Sequence, residues 1–344
     1  MNAFGEPDTP SVQPIYVNGL GAVSPAGWSL NAMRDALAKG VLLPSQELPR
    51  PGHANPLRIM RVPAPEPRPS FLSHARLRRT SPITQFAVSA AAEALGGVSA
   101  ENVGVIVCVF SGCVNYSRRF YDETLKNPAT ASPLVFPETV FNAPASHIAA
   151  YLGTQAINYT LVGDAGTFLL ATAIGAQWLT DGKVEKCLIV GTEEIDWLSS
   201  DAIRLFDRSK FLSEGAGALL LSKEPGAALA RLESITDEFL YSRHRGNLEA
   251  LERVRSQLAP SDGALLCDST SNESGISRHE AKAWGDWGGP RISLKRILGD
   301  GLMASAAWQV VAAVDSLHQK GLPEAVVSLA GFHQHAIGSK FVSL

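Results

Sequence analysis

Asn158–Glu194 reads NYTLVGDAGTFLLATAIGAQWLTDGKVEKCLIVGTEE, and the order of its parts decides the architecture. Ala156–Val162 is a short, mostly apolar run that predicts a strand. Gly166–Thr180 is apolar nearly all round, which places a helix inside a large protein rather than on its surface. That helix is too short to span a bilayer. Lys186–Val190 is again an apolar run of strand length. Strand, buried helix and strand in succession form the repeat of a layered α/β core.

The same alternation extends in both directions. Ile15–Asn18 predicts a strand that ends in Gly19-Leu20-Gly21, and Ser29–Ala38 a helix. Pro44–Pro69 holds eight of the 21 prolines. That density excludes regular helix and a central strand, and predicts an ordered surface loop over 44–69. Ser81–Leu95 reads as a helix with proline near its start and Gly96-Gly97 as its stop. Val103–Phe110 is an unbroken apolar run, a strand covered on both faces. Ala143–Leu152 is a short helix stopped by Gly153, and Ala216–Ser222 a further strand. The pattern then restarts, with strands at Ala230–Ile235, Gly263–Cys267 and Ala325–Ala330 and helices at Asn247–Leu258, Arg278–Trp287 and Leu302–Gln319. Two rounds imply two similar halves, residues 1–225 and 226–344, dividing near Pro225. Their sequences do not visibly match.

The bulk numbers exclude several classes. The 344 residues are 45% apolar and 18% charged, enough for a large core. A net charge of −3 supplies no basic field for nucleic acid or an anionic membrane. The small basic cluster Arg76, Arg78 and Arg79 reads as a solvated helix end. Cys108, Cys113, Cys187 and Cys267 show no CxxC spacing and suit buried reduced thiols in the cytoplasm. No apolar run reaches the roughly 20 residues of a membrane span, and the polar, proline-bearing first residues do not read as a signal peptide. Gly19-Leu20-Gly21 with Gly27 has the wrong spacing for a dinucleotide fingerprint.

Six strings in order resemble the β-ketoacyl-acyl carrier protein synthases of the thiolase superfamily. They are Val17–Gly27 (VNGLGAVSPAG), Asn158–Glu194, Arg204–Leu221 (RLFDRSKFLSEGAGALLL), Asp268–Ala283, Lys295–Gln309 and Ser328–Ala336. The resemblance implies a thiolase-like layered α-β-α-β-α fold of two similar halves. It also implies chemistry: an acyl group carried on a Cys thiolate at a helix N-terminus, with two His side chains donating to a developing enolate.

The residues at those positions differ. Where the family reads YTVSTAC, this chain reads Tyr159-Thr-Leu-Val-Gly-Asp-Ala165, so Ala165 stands in place of the nucleophile and Asp164 just before it. HGTST becomes Asp268-Ser-Thr-Ser-Asn272, with Asp268 for the first His. In the family Thr270 and the position of Asn272 touch the pantetheine arm. KxxxGH becomes Lys295-Arg-Ile-Leu-Gly-Asp300, with Asp300 for the second His and Lys295 kept. Gln309 falls where the family carries Glu, and the glycine-rich turn becomes Leu329–His333. Two aspartates in place of two His put potential anions where an enolate would form. Like charges at 4 Å cost roughly 4 kcal/mol at an effective dielectric near 20. Both stay ionised only if Lys295 bridges them. Ala165→Cys alone is therefore expected not to restore condensation.

Other reactive residues carry plainer readings. Cys113 follows a strand and is a candidate displaced nucleophile, but no base is spaced beside it; Cys267, next to Asp268, is weaker still. His147 suits a structural hydrogen bond. His333 and His335 could supply a lone base, with a surface turn as the default. Asp164, Asp268 and Asp300 read as a solvated or Lys-paired cluster rather than a metal site, so no metal is expected.

Losing Cys, His and His together points to a subunit without independent condensing activity. Chain-length factors of this family lack the active Cys and pair with a competent ketosynthase through the strand before the nucleophile, here Ala156–Val162. The expected partners are a ketosynthase in a heterodimer, or a second copy, and an acyl carrier protein with its phosphopantetheine arm; no tightly bound cofactor is expected. The alternative is an acyltransferase or acyl hydrolase that uses Asp164, Asp268 and Asp300.

Overall fold

A computed structural model describes residues 13–75, 77–206, 211–242, 246–271, 275–331 and 335–344. Asn272, His333 and Arg76 lie outside the described residues. The strands are β1 (Ile15–Val23), β2 (Gln46–Leu48), β3 (Leu57–Met60), β4 (Val103–Val109), β5 (Asn158–Val162), β6 (Lys186–Glu193), β7 (Leu212–Ser213), β8 (Gly215–Ser222), β9 (Ala230–Ile235), β10 (Phe239–Leu240), β11 (Leu265–Cys267), β12 (Arg291–Ile292), β13 (Glu324–Ala330) and β14 (His335–Val342). The helices are α1 (Leu30–Lys39), α2 (Pro82–Leu95), α3 (Val114–Lys126), α4 (Ala143–Leu152), α5 (Thr167–Thr180), α6 (Trp197–Arg204), α7 (Asn247–Leu258), α8 (Gly275–Ala283), α9 (Lys295–Leu298) and α10 (Met303–Lys320).

β1 continues through Gly19 and Gly21, where the sequence predicts its end, with a register shift between Val17 and Gly19. A Cβ at Gly19 would lie 1.8 Å from the carbonyl oxygen of Ala94, and one at Gly21 2.0 Å from that of Ala90. These glycines therefore let α2 lie directly on the strand; they do not turn the chain. The proline-rich segment also differs from expectation. It contains β2 and β3, which form a small sheet with β7 away from the main one. Pro49, Pro51 and Pro56 fall between β2 and β3, so the ladder keeps its donors.

The main sheet runs β12-β11-β13-β14-β9-β1-β8-β6-β4-β5, with β10 pairing beside β14. Its two ends repeat one plan. β4 is parallel to β5 and β6, and β6 is antiparallel to β8, which is antiparallel to β1. Likewise β11 is parallel to β12 and β13, and β13 is antiparallel to β14, which is antiparallel to β9. Ranked in chain order, both sets read third, second, fourth, fifth, first. β1 and β9 join them, antiparallel.

α10 packs on strands of both sets and on α5. Val310, Val311, Ala313 and Val314 of α10 are fully buried in one cluster with Phe168, Leu169 and Ala171 of α5. α2 and α4 cover the outer face of the first set, and α7 and α8 that of the second. The result is the thiolase-like α-β-α-β-α layering. Burying strands on both faces requires continuous apolar runs, which is why β4, β8 and β13 show no polar alternation.

Candidate functional site

β5 ends at Val162, and the chain turns through Gly163, Asp164, Ala165 and Gly166 into α5. Two backbone bonds fix this turn: Gly163 N–H donates to Val109 O at 3.0 Å, and Thr167 N–H to Asp164 O at 3.0 Å. Ala165 sits at the helix head, 7% exposed. Its methyl group has no atom able to form a thioester.

His335 is the first residue of β14 and is buried there, which overturns the surface-turn expectation for it. Its Nε2 lies 3.3 Å from Asp164 Oδ1 and 3.8 Å from Glu238 Oε1. The imidazole packs onto the helix head by its Nε2 edge; a Cβ at Gly166 would lie 1.9 Å from Nε2. The Asp164 carboxylate rests against Gly331, where a Cβ would meet Oδ2 at 1.9 Å. Tyr241 Oη donates to Gly331 O at 2.6 Å. Burial pushes the Tyr241 hydroxyl well above its usual range, and Asp164 and Glu280 push it in the same direction. Asp164, His335 and Tyr241 thus come from three separate segments to the head of α5, around Ala165 and Gly331.

A second cluster holds Asp268 and Asp300, which the resemblance sets at the two histidine positions, and it corrects the expected electrostatics. Asp268 is fully buried and ion-paired to Arg291 at the start of β12. The backbone N–H and the hydroxyl of Thr270 donate to Asp268 Oδ1 at 2.8 and 2.6 Å, and the hydroxyl also lies 3.0 Å from Ser293 Oγ. Thr270 is fully buried, with its hydroxyl turned to Asp268. Asp300 pairs with Lys295 at 3.2 Å and accepts from Leu302 N–H at 3.1 Å. Each aspartate has its own cation, so the pair does not act as two like charges facing a common point. Parallel pairing of β11 with β12 brings Arg291 beside Asp268.

Glu280 of α8, which no spacing rule singles out, belongs to the same cluster. Its Oε1 accepts from Ser269 N–H at 3.2 Å and Ser328 Oγ at 2.8 Å, and Trp284 Nε1 donates to Ser328 Oγ at 3.2 Å. Its Oε2 is buried without a hydrogen-bond partner. Burial, reinforced by Asp268, pushes this carboxyl up to about 8, so it is protonated at neutral pH. Gln309, fully buried, bonds Ser269 Oγ at 3.1 Å.

The remaining candidates are structural. Cys113 is buried and pushed up to about 12, first by desolvation and then by Glu194, so it stays a thiol. Cys267 is raised likewise, with Asp268 adding to burial. His147 Nε2 lies 2.8 Å from Glu138 Oε1, a bond between α4 and the turn before it. The acids of GTEE secure the surroundings. Glu193 accepts from Phe110 and Ser111 N–H at 2.9 and 2.8 Å, and Glu194 from Asn115 and Ile83 N–H at 2.8 and 3.1 Å. Glu194 thereby ties together the first turns of α2 and α3. Among the described residues no group of three His, Cys, Asp or Glu is arranged to hold a metal, and no helix is long and apolar enough to cross a membrane. A cleft of about 920 Å³ between the ends of α7 and α8, lined by Arg255, Lys282 and Trp287, shares no residue with either cluster.

Two like-ordered sheet halves around paired central helices define a thiolase-like fold. The chain belongs to the β-ketoacyl synthase family, whose N-terminal domain pattern matches residues 13–226. No curated protein shows significant sequence similarity. Solved structures of the same fold include the ishigamide ketosynthase/chain length factor (TM-score 0.81, 18% identity, covering 96% of this chain and 99% of that one). A β-ketoacyl synthase from Burkholderia phymatum gives 0.78 at 15% identity, covering 96% and 100%. The PfaC keto synthase-chain length factor gives 0.72 at 15% identity, covering 99% of this chain and 44% of that one.

Proposed function

We propose that this chain is a ketosynthase-like subunit that forms no carbon–carbon bond by itself and works beside a competent ketosynthase, as a chain-length factor does. The observation that carries this reading is Ala165 at the head of α5, with no thiol beside it in a reactive state. The ion-paired Asp268 and Asp300 add to it, because neither offers the hydrogen-bond donor that the family's histidines give to an enolate. Two of the similar solved structures are described as ketosynthase/chain length factor proteins. The two strand sets correspond to halves 1–225 and 226–344 on this reading.

β5 is the surface for the partner. It ends the sheet, and Tyr159 and Val162 are 47% and 54% exposed on it. A bare strand edge with apolar side chains is a template for a second strand. The occupant is a ketosynthase in a heterodimer or a second copy of this chain, and an acyl carrier protein delivers the acyl group on its phosphopantetheine arm. The resemblance sets Thr270 beside that arm, although its hydroxyl is turned to Asp268 in this chain, and the pair works in the cytoplasm.

Co-expression with a ketosynthase tests the reading. The two chains co-purify, product length changes when this chain is omitted, and Val162→Glu abolishes co-purification. Unchanged rate and product length without this chain would sink it. A second reading, acyl transfer or hydrolysis without condensation, is favoured by one observation, the buried His335 beside Asp164.

A further inference from the structure

Glu193, Glu194 and Asp196, at the end of β6, are all buried, and all three grip one neighbouring segment. Glu193 accepts from the N–H groups of Phe110 and Ser111, Glu194 from that of Asn115, and Asp196 holds the Arg118 guanidinium at 2.6 Å. Of residues 110–118 only Gly112 and Cys113 are buried, and α3, which follows, has no buried residue. Carboxylates rather than packing therefore hold this segment down. Their charges are unevenly matched. Asp196 has Arg118, and the buried Glu214 has Arg61 at 2.9 Å. No ion pair among the described residues includes Glu193 or Glu194, which are adjacent in the chain and each 1% exposed. Ionised together they repel each other, and burial withholds the water that would solvate them. Burial pushes Glu193 up to about 8 and Glu194 up to about 7, against the pull of their N–H donors.

We propose that residues 110–126 form a strap that Glu193 and Glu194 hold closed while they carry protons and release as they ionise, so that it opens with rising pH. The proposal goes beyond the subunit reading and does not depend on it. The strap begins one residue after Val109, whose carbonyl accepts from Gly163 N–H and fixes the turn into α5. Release therefore loosens the turn that carries Ala165. Opening returns both carboxyls to water, where a glutamate gives up its proton near 4.5. The closed strap thus holds protons that the open one has lost. Each group raises the opening constant by up to about tenfold per pH unit between its two values. The other groups facing the pair keep this sign. Cys113 and Tyr116, at the start of α3, are raised and stay protonated. Glu214 pushes Glu194 in the same direction. Glu138 lies beyond Cys113 and is bonded to His147, and α2 contributes only the Ile83 N–H. Arg61 and Arg118 are already engaged by Glu214 and Asp196.

The test is amide hydrogen exchange of the full purified chain from about pH 6 to 8, corrected for the pH dependence of the intrinsic exchange rate. Amides of the strap are expected to be less protected than those of the core helix α10. Their protection falls by about tenfold or more across that range. Glu193→Gln, which cannot ionise, removes about half of that slope or more. Arg118→Gln loosens the grip of Asp196 without touching the two glutamates, and its side chain is 33% exposed, so the fold is not threatened. It lowers strap protection by a similar factor at every pH and keeps the slope. Unfolding curves for both variants separate local release from global loss. Strap protection equal to that of α10, constant from pH 6 to 8 or rising with pH overturns the proposal, as does a slope that Glu193→Gln leaves in place. A slope that vanishes in Arg118→Gln assigns the effect to Asp196 and overturns it as well.

Discussion

The two central helices, α5 and α10, begin at equivalent points of the repeated plan, and each follows an aspartate by three residues. Asp164 precedes Thr167, and Asp300 precedes Met303. The company of the two aspartates differs. Asp300 faces Lys295 at 3.2 Å, and both are buried. Asp164 faces His335 at 3.3 Å, and a histidine carries charge only when protonated. The first arrangement pairs two groups of opposite charge, whereas the second pairs a carboxylate with an imidazole. One architecture therefore supplies a lysine–aspartate pair at one helix head and a histidine–aspartate pair at the other.

Breaking the lysine–aspartate pair gives the largest expected effect. Lys295→Met leaves Asp300 buried beside an apolar chain and costs about 3–5 kcal/mol, read from denaturant unfolding. Arg291→Met strands Asp268 in the same way. Because the Arg291 side chain is 29% exposed, its loss costs less, about 3 kcal/mol, and adding Asp268→Asn recovers part of it. A double variant no more stable than Arg291→Met alone shows that the two residues are not coupled.

Glu280 sharpens the contrast through pH. Its folded carboxyl is raised from the usual 4.5 to about 8, so between those values the folded state holds a proton that the unfolded state has released. Stability from this group is full at low pH and is lost as pH rises through that window, by up to about 1.4 kcal/mol per unit. Glu280→Gln, which keeps the acceptor for Ser269 and Ser328, flattens the decline; an unchanged slope rules the group out. At the head of α5, Ala165→Cys is expected to change stability by less than about 1 kcal/mol. It leaves condensation of an acyl and a malonyl-type thioester undetected, because the donors at 268 and 300 are still missing.

Much of this was legible in the sequence because burial on both faces leaves a linear trace. The unbroken runs at Val103–Val109 and Gly215–Ser222 and the all-apolar α5 announce interior elements without any coordinates. β14 left no such trace. His335, Ser339 and Lys340 interrupt its apolar residues, so no strand is read there, and it becomes one only when β13 and β9 supply hydrogen bonds on both sides. α3 leaves no interior trace either: Val114, Tyr116, Phe120, Tyr121 and Leu125 give it some apolar side chains, but none of its residues is buried.

The sequence by itself determined what atoms exist. Ala165 supplies no nucleophile in any fold, and six ordered strings specify a layered α/β chain. Only the tertiary structure decided what those atoms meet. Arg291 is 23 residues from Asp268, and His335 comes from the far end of the chain to reach Asp164. A carboxylate's character depends on the charge within a few ångströms of it and on the water it has lost. Those distances come from sheet pairing and helix packing between remote segments, and no local pattern in the chain encodes them.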